Sequence, residues 1–133
     1  MKTIIIAISI FFVVIVLPVG GAVYLSAHGA SQQAVGSEGN VSIVDGKQII
    51  EIHAKGGYQP RVSTARAGVP TVLRFDTNAT FDCSSSVRIP SMNISKNLPQ
   101  TGTTDIDLGT AQAGVLQGTC SMGMYPFEVN FRS

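Results

Sequence analysis

The sequence predicts an all-β sandwich preceded by one N-terminal transmembrane helix, and three observations carry that prediction. From Val41 onward, short runs rich in β-branched and aromatic residues recur between Gly, Pro, Asn and Asp, and no segment sustains a helical period. Ahead of them lies an uncharged apolar run from Ile4 to Leu25, long enough for a bilayer crossing of about 20 residues. Between the two, residues 26–40 are rich in Ser, Gly, Ala and Gln without apolar periodicity, a composition that buries too little surface to offset the entropy of ordering it.

Taken in order, residues 1–25 are predicted as a transmembrane signal anchor. A cleavable signal peptide has an apolar core of roughly 7 to 15 residues, and this run is longer. Ala27-His28-Gly29 would serve as a cleavage site, so cleavage stands as the alternative. Lys2 precedes the span and the next Lys or Arg is Lys47, which by the positive-inside tendency leaves the N-terminus in the cytoplasm and the rest of the chain outside. Residues 26–40 are predicted as a flexible linker, with His28 in it. Residues 41–133 suffice for one small domain and not for two. Charge excludes other classes: nine Lys and Arg against eight Asp and Glu leave no basic face for nucleic acid and no acidic or basic tail.

Within the domain, runs over Val41 to Val44 and Lys47 to Ala54 flank Asp45-Gly46, a dipeptide suited to a two-residue hairpin turn. In the second run Ile50, Ile52 and Ala54 alternate with Ile49, Glu51 and His53, so His53 shares a face with a Glu and reads as a solvated strand residue. Tyr58-Gln59-Pro60 leads into Arg61 to Ala65. After the Ala67-Gly68-Val69-Pro70 turn comes a strand over Thr71 to Phe75, with Leu73 and Phe75 on one face, and then a polar loop over Asp76 to Asp82. Val87 to Ile89 is a short strand stopped by Pro90. Ile94 and Leu98 are expected to anchor a loop. Thr104 to Leu108 alternates Ile106 and Leu108 with two Asp, and two final strands, Val115 to Cys120 and Phe127 to Phe131, bracket the stretch Cys120-Ser121-Met122-Gly123-Met124.

That stretch packs three sulfur side chains into five residues. Thiolate and thioether together select Cu(I) over harder ions, and Gly123 frees the backbone to fold around a shared point. Against this, Met packs irregular core gaps readily. The concentration of Cys and Met in one short segment favours a metal site built on Cys120, Met122 and Met124. A fourth sulfur is needed, and Cys83, at the edge of the polar loop, is the candidate. The two cysteines by themselves fit a structural disulfide as readily, because the compartment outside the membrane permits one; the flanking Met pair favours metal.

The order of elements from Ile49 onward, the Tyr58-Gln59-Pro60 lead-in, Ala67-Gly68-Val69-Pro70 before a strand, Cys83 ahead of Val87-Arg88-Ile89-Pro90, and Gly114 leading to the Cys-x-Met-x-Met loop resemble the cupredoxin superfamily. More narrowly they resemble its membrane-anchored Cu(I) chaperones and the similar domains of copper-exporting ATPases. The resemblance covers about the last two-thirds of the chain. It implies a Greek-key β-sandwich and a site for one or two Cu(I) ions, with Cys83 and Cys120 as tight thiolate ligands and Met122 and Met124 as weaker thioether ligands. It also implies a copper-exporting ATPase or another copper acceptor as partner, and a role in copper transfer, storage or resistance.

A blue-copper electron-transfer site needs two His and one Cys with a weak axial Met. The loop here holds no His, and neither His28 nor His53 stands where that pattern places a ligand. A site without imidazole stabilises Cu(I) and disfavours cycling to Cu(II), so electron transfer is a poor fit. The sequence holds no Ser-His-Asp or Cys-His constellation, no phosphate-binding Gly loop and no suggestive carboxylate pair, and so predicts no enzyme.

Overall fold

The protein is described by a computed structural model over residues 39–133. Ten strands follow in order: β1 (Val41–Val44), β2 (Lys47–Ala54), β3 (Tyr58–Gln59), β4 (Val62–Arg66), β5 (Pro70–Thr77), β6 (Ser86–Ile89), β7 (Ile94–Asn97), β8 (Gly102–Thr110), β9 (Gly114–Thr119) and β10 (Pro126–Arg132). One sheet runs β1-β2-β5-β8, with β3 also paired to β2; the other runs β4-β10-β9-β6-β7. The chain passes repeatedly from one sheet to the other. Two pairings, β2 with β5 and β4 with β10, are therefore parallel.

The period-2 pattern decides which face each strand buries. Ile50, Ile52 and Ala54 of β2, Leu73 and Phe75 of β5, Val87 and Ile89 of β6 and Val129 of β10 are fully buried and pack in one core. Three rings knit its middle: Tyr58, Phe75 and Phe127 meet edge-on, with centroids 5.0 to 5.8 Å apart. Each such pair adds about 0.5–1.5 kcal/mol to its area burial. The tip of the Phe127 ring comes close to Gly118 on the neighbouring strand, and a Cβ at Gly118 would run into it. The glycine is thus required by packing and not by a turn. At Asp45-Gly46 both residues have positive φ, 49° and 75°, the conformation that a two-residue hairpin needs to match strand twist.

Several strand ends shift by a residue or two from those the sequence predicts, and three differences have a clear structural cause. The strand over Thr71 to Phe75 runs on to Thr77, because Asp76 and Thr77 find backbone partners at Thr103 and Gly102 of β8. Ile94 stands in a strand rather than a loop: a 3-10 turn over Pro90–Met92 and a left-handed Asn93 (φ 53°) reverse the chain, and β7 then pairs with β6 from Ile89 and Ile94 outward. Leu98, just beyond β7, is buried as an anchor. Asn40, assigned to the linker, belongs to the domain, since its amide donates to Glu51 O at 3.1 Å and to Ser63 Oγ at 2.8 Å. Among the described residues no helix is long and apolar enough to cross a membrane. The anchor over 1–25, His28 and the linker up to residue 38 lie outside the described residues.

Candidate metal centre

The loops at one end of the sandwich carry every sulfur that the sequence singled out. Beyond Thr119 the chain turns back to β10: Gly123 N–H donates to Cys120 O at 3.0 Å, Cys120 N–H donates to Tyr125 O at 3.2 Å, and Gly123 takes a φ of 73°. Cys83 opens a single 3-10 turn, Cys83–Ser85, in the loop after β5. Asp82 caps that turn. Its Oδ1 accepts from Ser84 N at 2.8 Å and from Ser84 Oγ, and its Oδ2 accepts from Gly56 N at 2.9 Å, which ties the turn to the loop after β2. Hydrogen bonds from Ser84 and then from backbone N–H groups hold the Asp82 carboxyl below its usual range. Earlier in the loop, Thr80 Oγ1 donates to Ala54 O and Ala79 N–H donates to Thr101 Oγ1 at 3.0 Å.

Two further links cross between the sulfur-bearing turns. Ser86 Oγ accepts from Ser121 N–H at 3.1 Å and is hydrogen-bonded to Ser121 Oγ at 2.9 Å. Tyr58 O–H reaches from the core to donate to Ser86 O at 2.5 Å. Burial, followed by the nearby Asp82 charge, pushes the Tyr58 phenol well above its usual value, so it stays a donor throughout the working pH range.

Cys83 and Cys120, 37 residues apart, are brought together with their Cα atoms 5.8 Å apart, and their sulfurs are joined as a disulfide. The structure thus adopts the bonded alternative that two cysteines allow rather than a pair of free thiolates. Cys120 is fully buried, whereas Met122 and Met124, two and four residues on, are 73% and 58% exposed. This exposure is what the core-filler reading of the Met pair does not predict. Phe81, two residues before Cys83, is 73% exposed as well. Beside the loop lies a depression lined by Gly56, Gly57, Arg61, Met124, Tyr125 and Pro126.

The donor set limits the metal. Among the described residues no group of three or more His, Cys, Asp and Glu is placed to hold an ion. His53 is exposed on β2 and turns its Nδ1 to Asp76 at 3.2 Å, as expected of a solvated strand residue. Any ion at the sulfur end must therefore rely on thioethers and on the cysteines in their reduced state, a soft set suited to Cu(I). In the sequence Tyr58 and Ser121 stand inside motifs without a role of their own at the site, and Asp82 and Ser86 stand in none. Asp82 carries a local signal, since an Asp side chain readily bonds the backbone two residues on and so opens a turn, as it does here with Ser84 N–H. Nothing local announces the Ser86–Ser121 link across 35 residues.

The sequence matches the family model for a cupredoxin-like domain over residues 16–129. No curated protein matches it. Among solved structures, the metal binding domain of the Streptococcus pneumoniae D39 Cu(I) exporting P-type ATPase CopA, determined with Cu(I), is similar with a TM-score of 0.64. It is 20% identical over 70% of this chain and 93% of that one. A copper binding protein determined by NMR in its apo form is similar with a TM-score of 0.63, at 24% identity over 69% of this chain and 94% of that one. At such identities the likeness speaks for the fold.

Proposed function

We propose that this chain, which belongs to the cupredoxin-like domain family, binds Cu(I) through sulfur and serves in copper transfer, storage or resistance. One observation carries the reading: Cys83 and Cys120 are drawn into contact at the same end of the sandwich at which Met122 and Met124 stand exposed. When the pair is reduced, two thiolates supply the tight donors and the charge that offsets Cu(I), and the neutral thioethers supply weak donation on an open loop. The thiolates then hold the ion deep, while Met122 and Met124 accept a second ion or pass one on. Two neighbours of the same fold support the choice of metal: one is the metal binding domain of a Cu(I) exporter, determined with Cu(I), and the other is a copper binding protein determined in its apo form. A copper-exporting ATPase or another copper acceptor is accordingly the proposed partner. The apolar run from Ile4 to Leu25 would anchor the chain, with the domain on the extracytoplasmic side by the placement of Lys2.

A second reading rests on the bonded state itself. In an oxidising compartment the Cys83–Cys120 bridge is a structural staple, and the domain then has no thiolate to offer. The two readings separate on titration of the full chain in detergent against a competing Cu(I) chelator, with and without a phosphine reductant. The reduced chain takes up Cu(I) in preference to Zn(II) and Cu(II), with no intense visible band on adding Cu(II), and the oxidised chain loses the tight site. Equal, weak uptake in both states would leave the staple as the cysteines' only role. A strong thiolate-to-Cu(II) band would restore electron transfer.

A further inference from the structure

We infer that the Ser86 side chain is a positioning residue, which holds Cys83 and Cys120 within bonding reach of each other whether or not the two sulfurs are joined. A serine hydroxyl has one proton to give and two lone pairs to share. Ser86 spends all three on residues that carry or adjoin the cysteines. It donates to Cys83 O at 3.1 Å and accepts from Ser121 N–H at 3.1 Å, and with its own proton so committed, the 2.9 Å link to Ser121 Oγ is made with the Ser121 proton. Its backbone serves the same end. Ser86 N–H donates to Cys83 O, closing the 3-10 turn, and Ser86 O accepts from the buried Tyr58, whose ring is held by Phe75 and Phe127. One residue thus joins the turn that bears Cys83, the turn that follows Cys120 and the aromatic core.

None of these bonds involves sulfur, so none is lost when the disulfide opens. The separation of the reduced pair is then set by hydrogen bonds to Ser86 in place of the S–S bond. The inference concerns the cysteine pair alone; its consequence for copper rests on the Cu(I) reading above, under which Ser86 pre-pays the ordering of the two thiolates.

The test is the thiol–disulfide equilibrium of the full chain in detergent with glutathione. Two glutathione thiols give up two electrons and two protons as the Cys83–Cys120 bond breaks, leaving two protein thiols and one glutathione disulfide. The position of that equilibrium reports how often the reduced sulfurs meet. Ser86→Ala is expected to lower the disulfide-forming constant by about tenfold, the equivalent of one or two hydrogen bonds. Ser86→Thr, which keeps the hydroxyl at a strand position, should bring it back. Ser121→Ala, which removes one of the three links and leaves the N–H, should give a smaller fall of the same sign. A merely structural serine would lower the melting temperature of the reduced chain and leave this constant unmoved. A constant within a factor of about two of wild type in both Ala variants, or a fall that Thr does not restore, overturns the inference. Cu(I) titration of the reduced proteins is read separately. Wild type that takes no Cu(I) removes the copper reading and leaves Ser86 to be judged on glutathione alone; wild type that binds, with Ser86→Ala weaker by the same factor, supports both.

Discussion

Where β2 begins, Gln48 is only 2% exposed and its amide bridges the two sheets: Arg66 N–H donates to Gln48 Oε1 at 2.8 Å, and Gln48 Nε2 donates to Arg66 O at 3.1 Å and to Thr71 Oγ1 at 3.0 Å. Where β2 ends, Ser86 plays the corresponding part between two turns, yet the segments it joins carry the cysteine pair and the exposed Phe81, Met122 and Met124. Both ends satisfy their backbone groups through one polar side chain. They differ in what is left over. At the Gln48 end the clamp is buried and its role ends with stability, whereas at the Ser86 end the clamp leaves sulfur at the surface, where a soft ion or a partner can reach it. A polar clamp thus closes the sandwich at both ends, and chemistry resides in what the clamp holds up.

The two ends should differ most in what the covalent link contributes to stability. In the oxidised full chain Cys83→Ser should cost about 3–4 kcal/mol, the value for closing a loop of this length. Gln48→Leu should cost about 2–3 kcal/mol by stranding the N–H and C=O of Arg66. Under reductant the Cys83→Ser penalty should largely vanish while that of Gln48→Leu persists. Urea unfolding followed by tyrosine fluorescence reads both. A Cys83→Ser penalty that is the same with and without reductant would mean that the sulfur end is held by packing, as the Gln48 end is.

A smaller effect on stability and a larger one on copper are expected from Met122→Ile combined with Met124→Ile. Both residues are exposed, so the change should stay within about 0.5 kcal/mol. The tightest Cu(I) should remain, and a second ion and fast handover to an acceptor should be lost. Retention of two ions at full transfer rate would show that the exposed thioethers take no part.

The smallest effect is electrostatic. The folded-state pKa of Asp82 lies below its unfolded value near 3.9, so its contribution is complete above that value and is lost as pH falls through the folded one. Stability of wild type should therefore drop more steeply below about pH 4 than that of Asp82→Asn, with the Arg74–Asp105 pair between β5 and β8 contributing equally to both. Parallel acid profiles would remove Asp82 from the forces that hold the Cys83 turn.

Much of this was legible in the chain because it depends on neighbours. Alternation placed Ile50, Ile52, Leu73, Phe75, Ile106 and Leu108 in the core, Asp45-Gly46 announced its hairpin, and the Cys-x-Met-x-Met loop stood out because its sulfurs are local. Gly118 and Phe127 fall in segments whose pattern is that of strands, yet their close approach is a matter of register between β9 and β10 and has no local mark. Strand β7 escaped for a related reason: Pro90 ends β6 in the sequence pattern, and only the left-handed Asn93 returns the chain to pair with it.

Spacing along a backbone of fixed geometry is enough to set the class of the fold, the faces of its strands and the presence of a soft-donor loop. The tertiary structure alone decided that Cys83 and Cys120 stand with their Cα atoms 5.8 Å apart and bonded, within the 4.4–6.8 Å that a bridge requires, and that Ser86 spends its hydroxyl between them. Those facts depend on the packing of two sheets across a shared core, which sets distances between residues 35 and 37 positions apart that no local pattern encodes.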